Sequence, residues 1–226
     1  MAIGKVVFLF DVDNTLLDND HIIADLMRHL EREIGPERPK RYWQIFEEIR
    51  AQLGYADYLG ALQRYRIENP RDLNILAVSR YLLNYPFATR LFPQALDVLE
   101  HCQAYGTCVI LSDGDVVFQP LKVERSCLAE AFDGNVLIYI HKELELNDIM
   151  ARFPADHYVL VDDKVRILAA IKQAWGARVT TVFPRQGHYA LDDKEVAKYP
   201  PPDIRIERVG HLLDYAPAAI VDAARA

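Results

Sequence analysis

The stretch Val6-Val7-Phe8-Leu9-Phe10-Asp11-Val12-Asp13-Asn14-Thr15 runs from a wholly apolar segment straight into acids. Five consecutive apolar residues predict a strand buried on both faces, as in a parallel sheet. Two carboxylates, Asp11 and Asp13, follow with one residue between them. Paired carboxylates repel, and beside a core they are costly unless a cation or a shared proton settles them. The pattern therefore asks for a metal ion, a phosphoryl group, or both.

Further along, short apolar runs alternate with amphipathic stretches. Thr107 to Leu111, Val136 to Ile140, His157 to Val161 and Arg178 to Phe183 read as strands. Val116 to Glu130, Lys142 to Phe153 and Lys164 to Trp175 read as helices between them. This rhythm predicts a parallel sheet covered by helices, an α/β fold with a Rossmann-like core. In such sheets ligands bind beyond the carboxyl ends of the strands. Asp11, Ser112, Lys142 and the pair Asp162-Asp163 all fall at or just past such an end.

Residues 18–89 break the rhythm. Helices are expected at Ile22 to Ile34, Pro39 to Leu53, Ala56 to Ile67 and Leu73 to Leu83, punctuated by Pro36, Gly54 and Pro70. From Asp18 to Arg90 the chain carries eleven bases and eleven acids, so its formal charge of −7 resides elsewhere. The block reads as a small all-α domain inserted through two linkers into a sheet domain made of residues 1–17 and 90–226. Gly187 to Pro202 is expected to be an irregular loop. Ile204 to Ile206 is expected to form an edge strand, followed by a short helix from Val209.

The acidic balance argues against a dedicated nucleic-acid partner, which calls for a basic face. No stretch approaches the roughly 18 apolar residues of a membrane helix, and the run before Asp11 is too short for a secretory signal. Cys102, Cys108 and Cys127 form no CxxC pair, which suits the reducing cytoplasm. There is no GxGxxG after the first strand, no phosphate loop of the GxxxxGK[ST] type and no Cys/His cluster suggesting zinc.

Taken in order, the strand ends offer Asp-x-Asp-x-Thr, then Ser112, then Lys142, then Asp162-Asp163. This order resembles the haloacid dehalogenase superfamily of phosphohydrolases, and the resemblance extends to the helical cap after the first strand. It implies that Asp11 is the nucleophile that forms an aspartyl-phosphate. Asp13 is implied as the general acid and base; relatives that cleave carbon–halogen bonds carry Tyr there, so Asp13 favours phosphate esters. Asn14 stands where Gly is commoner and tolerates a left-handed backbone. Asn14 and Thr15 are expected at the phosphate, with Thr15 either donating to it or capping the loop.

Ser112 is implied as a phosphate donor, with the backbone amide of Asp113 beside it; taken alone it would also read as a cap for the next helix. Asp113 replaces an Asn common in relatives, which leaves open whether its side chain faces the site. Lys142 is implied to neutralise the phosphoryl oxygens, with Lys122 and Lys164 as rivals and His141 as a neighbour. The expected Mg²⁺ set is Asp11, the backbone carbonyl of Asp13, Asp163 directly, and Asp162 close by. Asp163 could also cap the helix that follows.

The resulting expectation is a cytoplasmic, Mg²⁺-dependent phosphatase acting on a small phosphorylated metabolite. A phosphomutase of the same superfamily shares every motif, and a phospho-accepting protein with little turnover is a third reading. Tyr42, Trp43, Phe46, Tyr55, Tyr58 and Tyr65 in the insertion are expected mainly to pack its helices, and Arg64, Arg66 and Arg71 to form a solvated face. Substrate identity and oligomeric state are not readable at this level.

Overall fold

Strand β1 (Val6–Phe10) has every residue buried and pairs in parallel with a neighbour on each side. On one side lie β2 (Thr107–Asp113) and then β3 (Val136–Tyr139). On the other lie β4 (His157–Val161), β5 (Val179–Pro184) and the edge strand β6 (Ile204–Ile206). The sheet order is β3-β2-β1-β4-β5-β6, parallel throughout. The chain thus builds outward from β1 to β3, returns, and builds outward again from β4. That reversal opens a crevice at the carboxyl ends of β1 and β4. The computed structural model describes residues 4–36 and 38–225. Met1, Ala2, Ile3 and Ala226 of the expected sheet domain, and Glu37 of the helical block, lie outside the described residues.

Side-chain alternation along β1 explains the layers. Val6, Phe8 and Phe10 face one apolar cluster; Val7 and Leu9 face another. Four helices, α1 (Asn19–Ile34), α2 (Arg38–Leu53), α3 (Tyr58–Glu68) and α4 (Ile75–Leu83), form the insertion. They share the first cluster with α5 (Ala95–Gln103), α6 (Phe118–Arg125) and α7 (Leu128–Ala131). The second cluster is covered by α8 (Leu146–Arg152), α9 (Val165–Trp175) and Ala190 of α10 (Gly187–Leu191). Short helices α11 (Asp193–Val196) and α12 (Pro217–Asp222) complete the chain. No helix of the described residues is long and apolar enough to cross a membrane.

The two linkers into the insertion run side by side. Phe92 N donates to Leu16 O (2.8 Å), Asp18 N donates to Arg90 O (2.8 Å), and Leu17 bridges Leu91 antiparallel. Helix α1 begins three residues earlier than its apolar pattern suggests, because the Asp18 carboxylate accepts from His21 N at 3.0 Å and caps it.

Four expectations need correction. Val116 to Glu130 is not one helix: Cys127 takes a left-handed φ of 65°, which ends α6 and restarts the chain as α7. Lys142 to Phe153 opens with a 3-10 turn, Lys142–Leu144, before α8. Gly187 to Pro202 is not wholly irregular, since it contains α10 and α11, each too short to show a helical period. The expected helix from Val209 is a 3-10 turn, Val209–Asp214.

Candidate active site

The loop after β1 is wound tightly by its own backbone. Leu16 N and Leu17 N both donate to Val12 O (3.0 and 2.9 Å), and Asn14 N donates to Leu17 O (2.7 Å). Asn14 takes φ 60°, a conformation that asparagine tolerates better than most residues. Asp11 remains in the ladder, its N–H donating to Val161 O at 2.9 Å, so its carboxylate emerges beside the end of β4.

There it meets Asp162 and Asp163. One carboxylate oxygen from each of the three lies within 4.8 Å of the others, and all three residues are buried. Lys142 Nζ, itself fully buried, sits 2.5 Å from Asp11 Oδ1 and 2.7 Å from Asp162 Oδ2, and donates to Leu111 O at 3.1 Å. Burial opposes the lysine's charge, but Asp11, Asp162 and Asp113 outweigh it and hold its pKa well above the usual value. Burial raises Asp162 to about 6, although Lys142 pulls it down. Burial raises Asp163 further, against the pull of Lys164.

Asp163 is the unsettled member. Both of its oxygens are buried without a hydrogen-bond partner, a costly state for a carboxylate. Asp162 is better served, with Oδ1 accepting from Lys164 N at 2.8 Å. The three-carboxylate set is of the hard-oxygen type that takes Mg²⁺. An added divalent cation is the one charge that would answer both orphaned oxygens of Asp163 at once.

The other expected residues take distinct places. Thr15 lies behind Asp11: its hydroxyl donates to Asp11 Oδ2 (3.3 Å) and accepts from Asp163 N (3.0 Å). Its single proton is thereby engaged with the carboxylate, so Thr15 joins motif to motif rather than facing a ligand. The Asn14 side chain turns to α1, exchanging hydrogen bonds with Asp20 (3.1 and 3.2 Å). Asp113 accepts from Lys142 N (2.8 Å), so its carboxylate anchors the lysine loop; burial raises its pKa against the pull of Lys142. Ser112 Oγ is buried and accepts from Gln119 Nε2 (2.9 Å). The Asp13 carboxylate stands apart from the acidic trio, gripped at 2.7 and 2.9 Å by Lys122 Nζ.

Gln119 is a neighbour that the sequence did not single out, and Lys122, expected only as a rival to Lys142, serves Asp13 instead. Lys122 is buried, and Asn19 Oδ1 accepts its third hydrogen bond at 3.1 Å. Their signal was present: two polar residues three apart on the inward face of a helix that also buries Phe118 and Val123. Lys142, not its rivals, reaches Asp11; Lys122 serves Asp13, and Lys164 Nζ lies 5.7 Å over the Tyr189 ring.

In front of Asp13 and Asn14 opens a cavity of about 450 Å³, bounded by the insertion, the strand-end loops and the segment around α10 and α11. Trp43, Phe46, Tyr55 and Tyr58 line it, and so does His141. Tyr42 and Tyr65 are buried in the helical block as expected.

Residues 6–175 match the family model described as haloacid dehalogenase-like hydrolase. A solved structure from Burkholderia xenovorans LB400, assigned to the haloacid dehalogenase-like hydrolases, is 60% identical. The match covers 96% of this chain and 98% of that one, with a TM-score of 0.91. The HAD-hydrolase YfnB of Bacillus subtilis, solved bound to magnesium, shares the fold at 15% identity (94% and 99% covered, TM-score 0.65). So does the L-2-haloacid dehalogenase of Xanthobacter autotrophicus with chloropropionic acid covalently bound, at 16% identity (91% and 96% covered, TM-score 0.58). Among curated proteins, none matches the chain.

Proposed function

The chain belongs to the haloacid dehalogenase-like hydrolases, and on that premise we propose that it is a Mg²⁺-dependent phosphatase of small phosphate monoesters. The observation that carries this reading is the buried trio Asp11, Asp162 and Asp163, with both Asp163 oxygens unpartnered and Lys142 beside Asp11. Asp11, Asp162 and Asp163 would hold the cation, and the Asp13 carbonyl is the further ligand we assign. When bound, Mg²⁺ supplies positive charge to the phosphoryl oxygens.

Asp11 attacks phosphorus. Lys142 at Oδ1 and Thr15 at Oδ2 fix the plane of its carboxylate, which holds the attacking oxygen on line. Lys142 then faces the transferred group and offsets its charge. Asp13 protonates the leaving oxygen and later takes a proton from the water that opens the aspartyl-phosphate. In the present arrangement Lys122 holds both Asp13 oxygens, so Asp13 must loosen one of these contacts to carry its proton.

A phosphatase also explains Asp13 better than a dehalogenase does. A halide leaves without needing a proton; an alkoxide needs one. The helical block, residues 18–89, roofs the cavity and limits water. The three cysteines are free, in keeping with the cytoplasmic setting we assign. The reading involves neither nucleic acid nor a membrane.

The test is release of phosphate from a panel of monoesters with Mg²⁺ and with chelator, alongside chloride release from 2-chloropropionate. Phosphate release should depend on Mg²⁺. Asp11→Asn should abolish it, and Asp13→Asn should lower kcat by about 10²–10⁴-fold. Chloride release without phosphate release, or full phosphate turnover in either variant, would overturn the assignment.

A further inference from the structure

Six aromatic side chains besides the histidines line the cavity. The insertion contributes Trp43, Phe46, Tyr55 and Tyr58, and the segment after β5 contributes Tyr189 and Tyr199. Trp43 stacks on Phe46 (4.7 Å between centroids, 19° between planes), and Phe46 lies 4.7 Å from Tyr58. Tyr58 is anchored in turn on buried Phe118 at 5.2 Å. The aromatic wall is therefore a braced ladder rather than a set of loose side chains.

Most of the polar groups along the same cavity are already committed. His188 pairs with Asp20 (2.6 Å), Arg166 with Glu143 (2.6 Å), and Asp192 accepts from Lys194 N and Glu195 N at the start of α11. Asn19 serves Lys122. A sugar or polyol set against the ring faces and these committed groups would leave hydroxyls unpaired at a cost; the remaining polar lining includes His141, Lys164 and the tyrosine hydroxyls. A flat ring loses nothing in the same place and gains stacking.

Arg50 adds a second feature. Its guanidinium stands 5.4 Å from the centroid of Tyr189, so a cation of the insertion meets an aromatic ring of the sheet domain across the cavity. Its nearest carboxylate contact is long, 3.4 Å to Glu47. That leaves its charge directed at whatever lies between α2 and α10.

Resting on the phosphatase reading, we propose that the substrate class is a phosphate monoester whose leaving group carries a planar aromatic or heteroaromatic ring, held between Trp43, braced on buried Phe46, and Tyr189. Trp43 and Tyr189 are specificity-determining residues; Arg50 favours rings that bear an electron-rich or anionic substituent.

Aryl phosphates are poor probes because their leaving groups are intrinsically better. The experiment instead uses primary-alcohol esters: 2-phenylethyl phosphate and pyridoxal 5′-phosphate against glycerol 3-phosphate and glucose 6-phosphate, all with Mg²⁺. The expected result is kcat/KM at least tenfold higher for the two ring-bearing esters. Trp43→Ala and Tyr189→Ala should each reduce that preference severalfold, mainly by raising KM for the ring-bearing esters. Equal or faster turnover of the polyol esters overturns the inference while leaving the phosphatase standing. So does a preference that both variants preserve. Absence of turnover for all four esters sinks the phosphatase reading and this inference with it.

Discussion

Asp163 is where the chemistry of single residues is most exposed to test. Its carboxylate is buried, its oxygens lack partners, and burial raises its pKa well above the ordinary 3.8; Asp162 rises to about 6 by the same cause. Without a cation, the folded protein therefore retains protons that the unfolded chain releases near pH 4. Stability then falls as pH rises through that interval, because the folded state binds more protons there. Asp163→Asn removes one of these groups while keeping its shape. In chelator, the Tm of the variant relative to wild type should climb between pH 5 and pH 7.5, at about 2–4 °C for each kcal/mol relieved. Added Mg²⁺ should raise the wild-type Tm and leave the variant's nearly unchanged. Differential scanning fluorimetry across pH decides it; a gap that stays flat with pH, or an equal Mg²⁺ response, removes Asp163 as a cation ligand.

The elements show how a segment remote in sequence shapes the acidic loop. Gln186 donates to Asn14 O and Thr15 O (3.3 and 3.0 Å), and His188 N donates to Asp20 (2.8 Å). Between them Gly187 has φ 71°, and a Cβ there would come within 2.5 Å of Asn14 Cβ. Gly187→Ala should thus displace the Asp11–Thr15 loop and lower kcat at least tenfold. Gly134 is the matched control: φ 75°, with no atom within 4 Å of an added Cβ. Gly134→Ala should cost about 1 kcal/mol from backbone strain alone and leave kcat unaltered. Equal kcat losses in the two variants would refute the role given to Gly187.

This latch also marks the limit of what the chain discloses in one dimension. Strands β1, β2, β4 and β5 were legible because each is a short apolar run, and the acids at their ends were legible because nothing local accounts for them. The positions of Asp11, Lys142 and Asp162 followed from strand order. Helices α10 and α11 were not legible, since five and four residues are too few to establish a period. Lys122 on Asp13 was not legible either: residues 109 apart in sequence meet only through the packing of α6. Tyr42, Phe46, Tyr58 and Tyr65 pack in the core as their spacing suggested; that Trp43 and Tyr55 also border a cavity was not legible, because a ring lining a cavity and a ring filling a core have the same helical spacing.

At the scale of the molecule, the insertion is not an appendage on two strings. Its rings continue the core of the sheet domain: Tyr58 meets Phe118 at 5.2 Å, and Phe87 meets Phe118 edge-on at 5.7 Å. One apolar cluster runs from Phe8 and Phe10 of β1 to Phe46 of α2. Cavity walls on both bodies therefore depend on a shared interior, which argues that the two unfold together. The two tryptophans make this measurable, because Trp43 lies in α2 and Trp175 in α9. Trp175→Phe leaves a reporter for the insertion, and Trp43→Phe leaves one for the sheet domain. In urea each reporter's fluorescence should give the same midpoint as far-ultraviolet circular dichroism of the same protein. Phe118→Ala, truncating a buried ring at the junction, should destabilise by about 3–5 kcal/mol and move the Trp43 midpoint at least as far as the Trp175 midpoint. If the Trp43 signal melts well before circular dichroism in the protein with Phe118 intact, the insertion is an independent body. The aromatic junction would then contribute little to holding the cavity in shape.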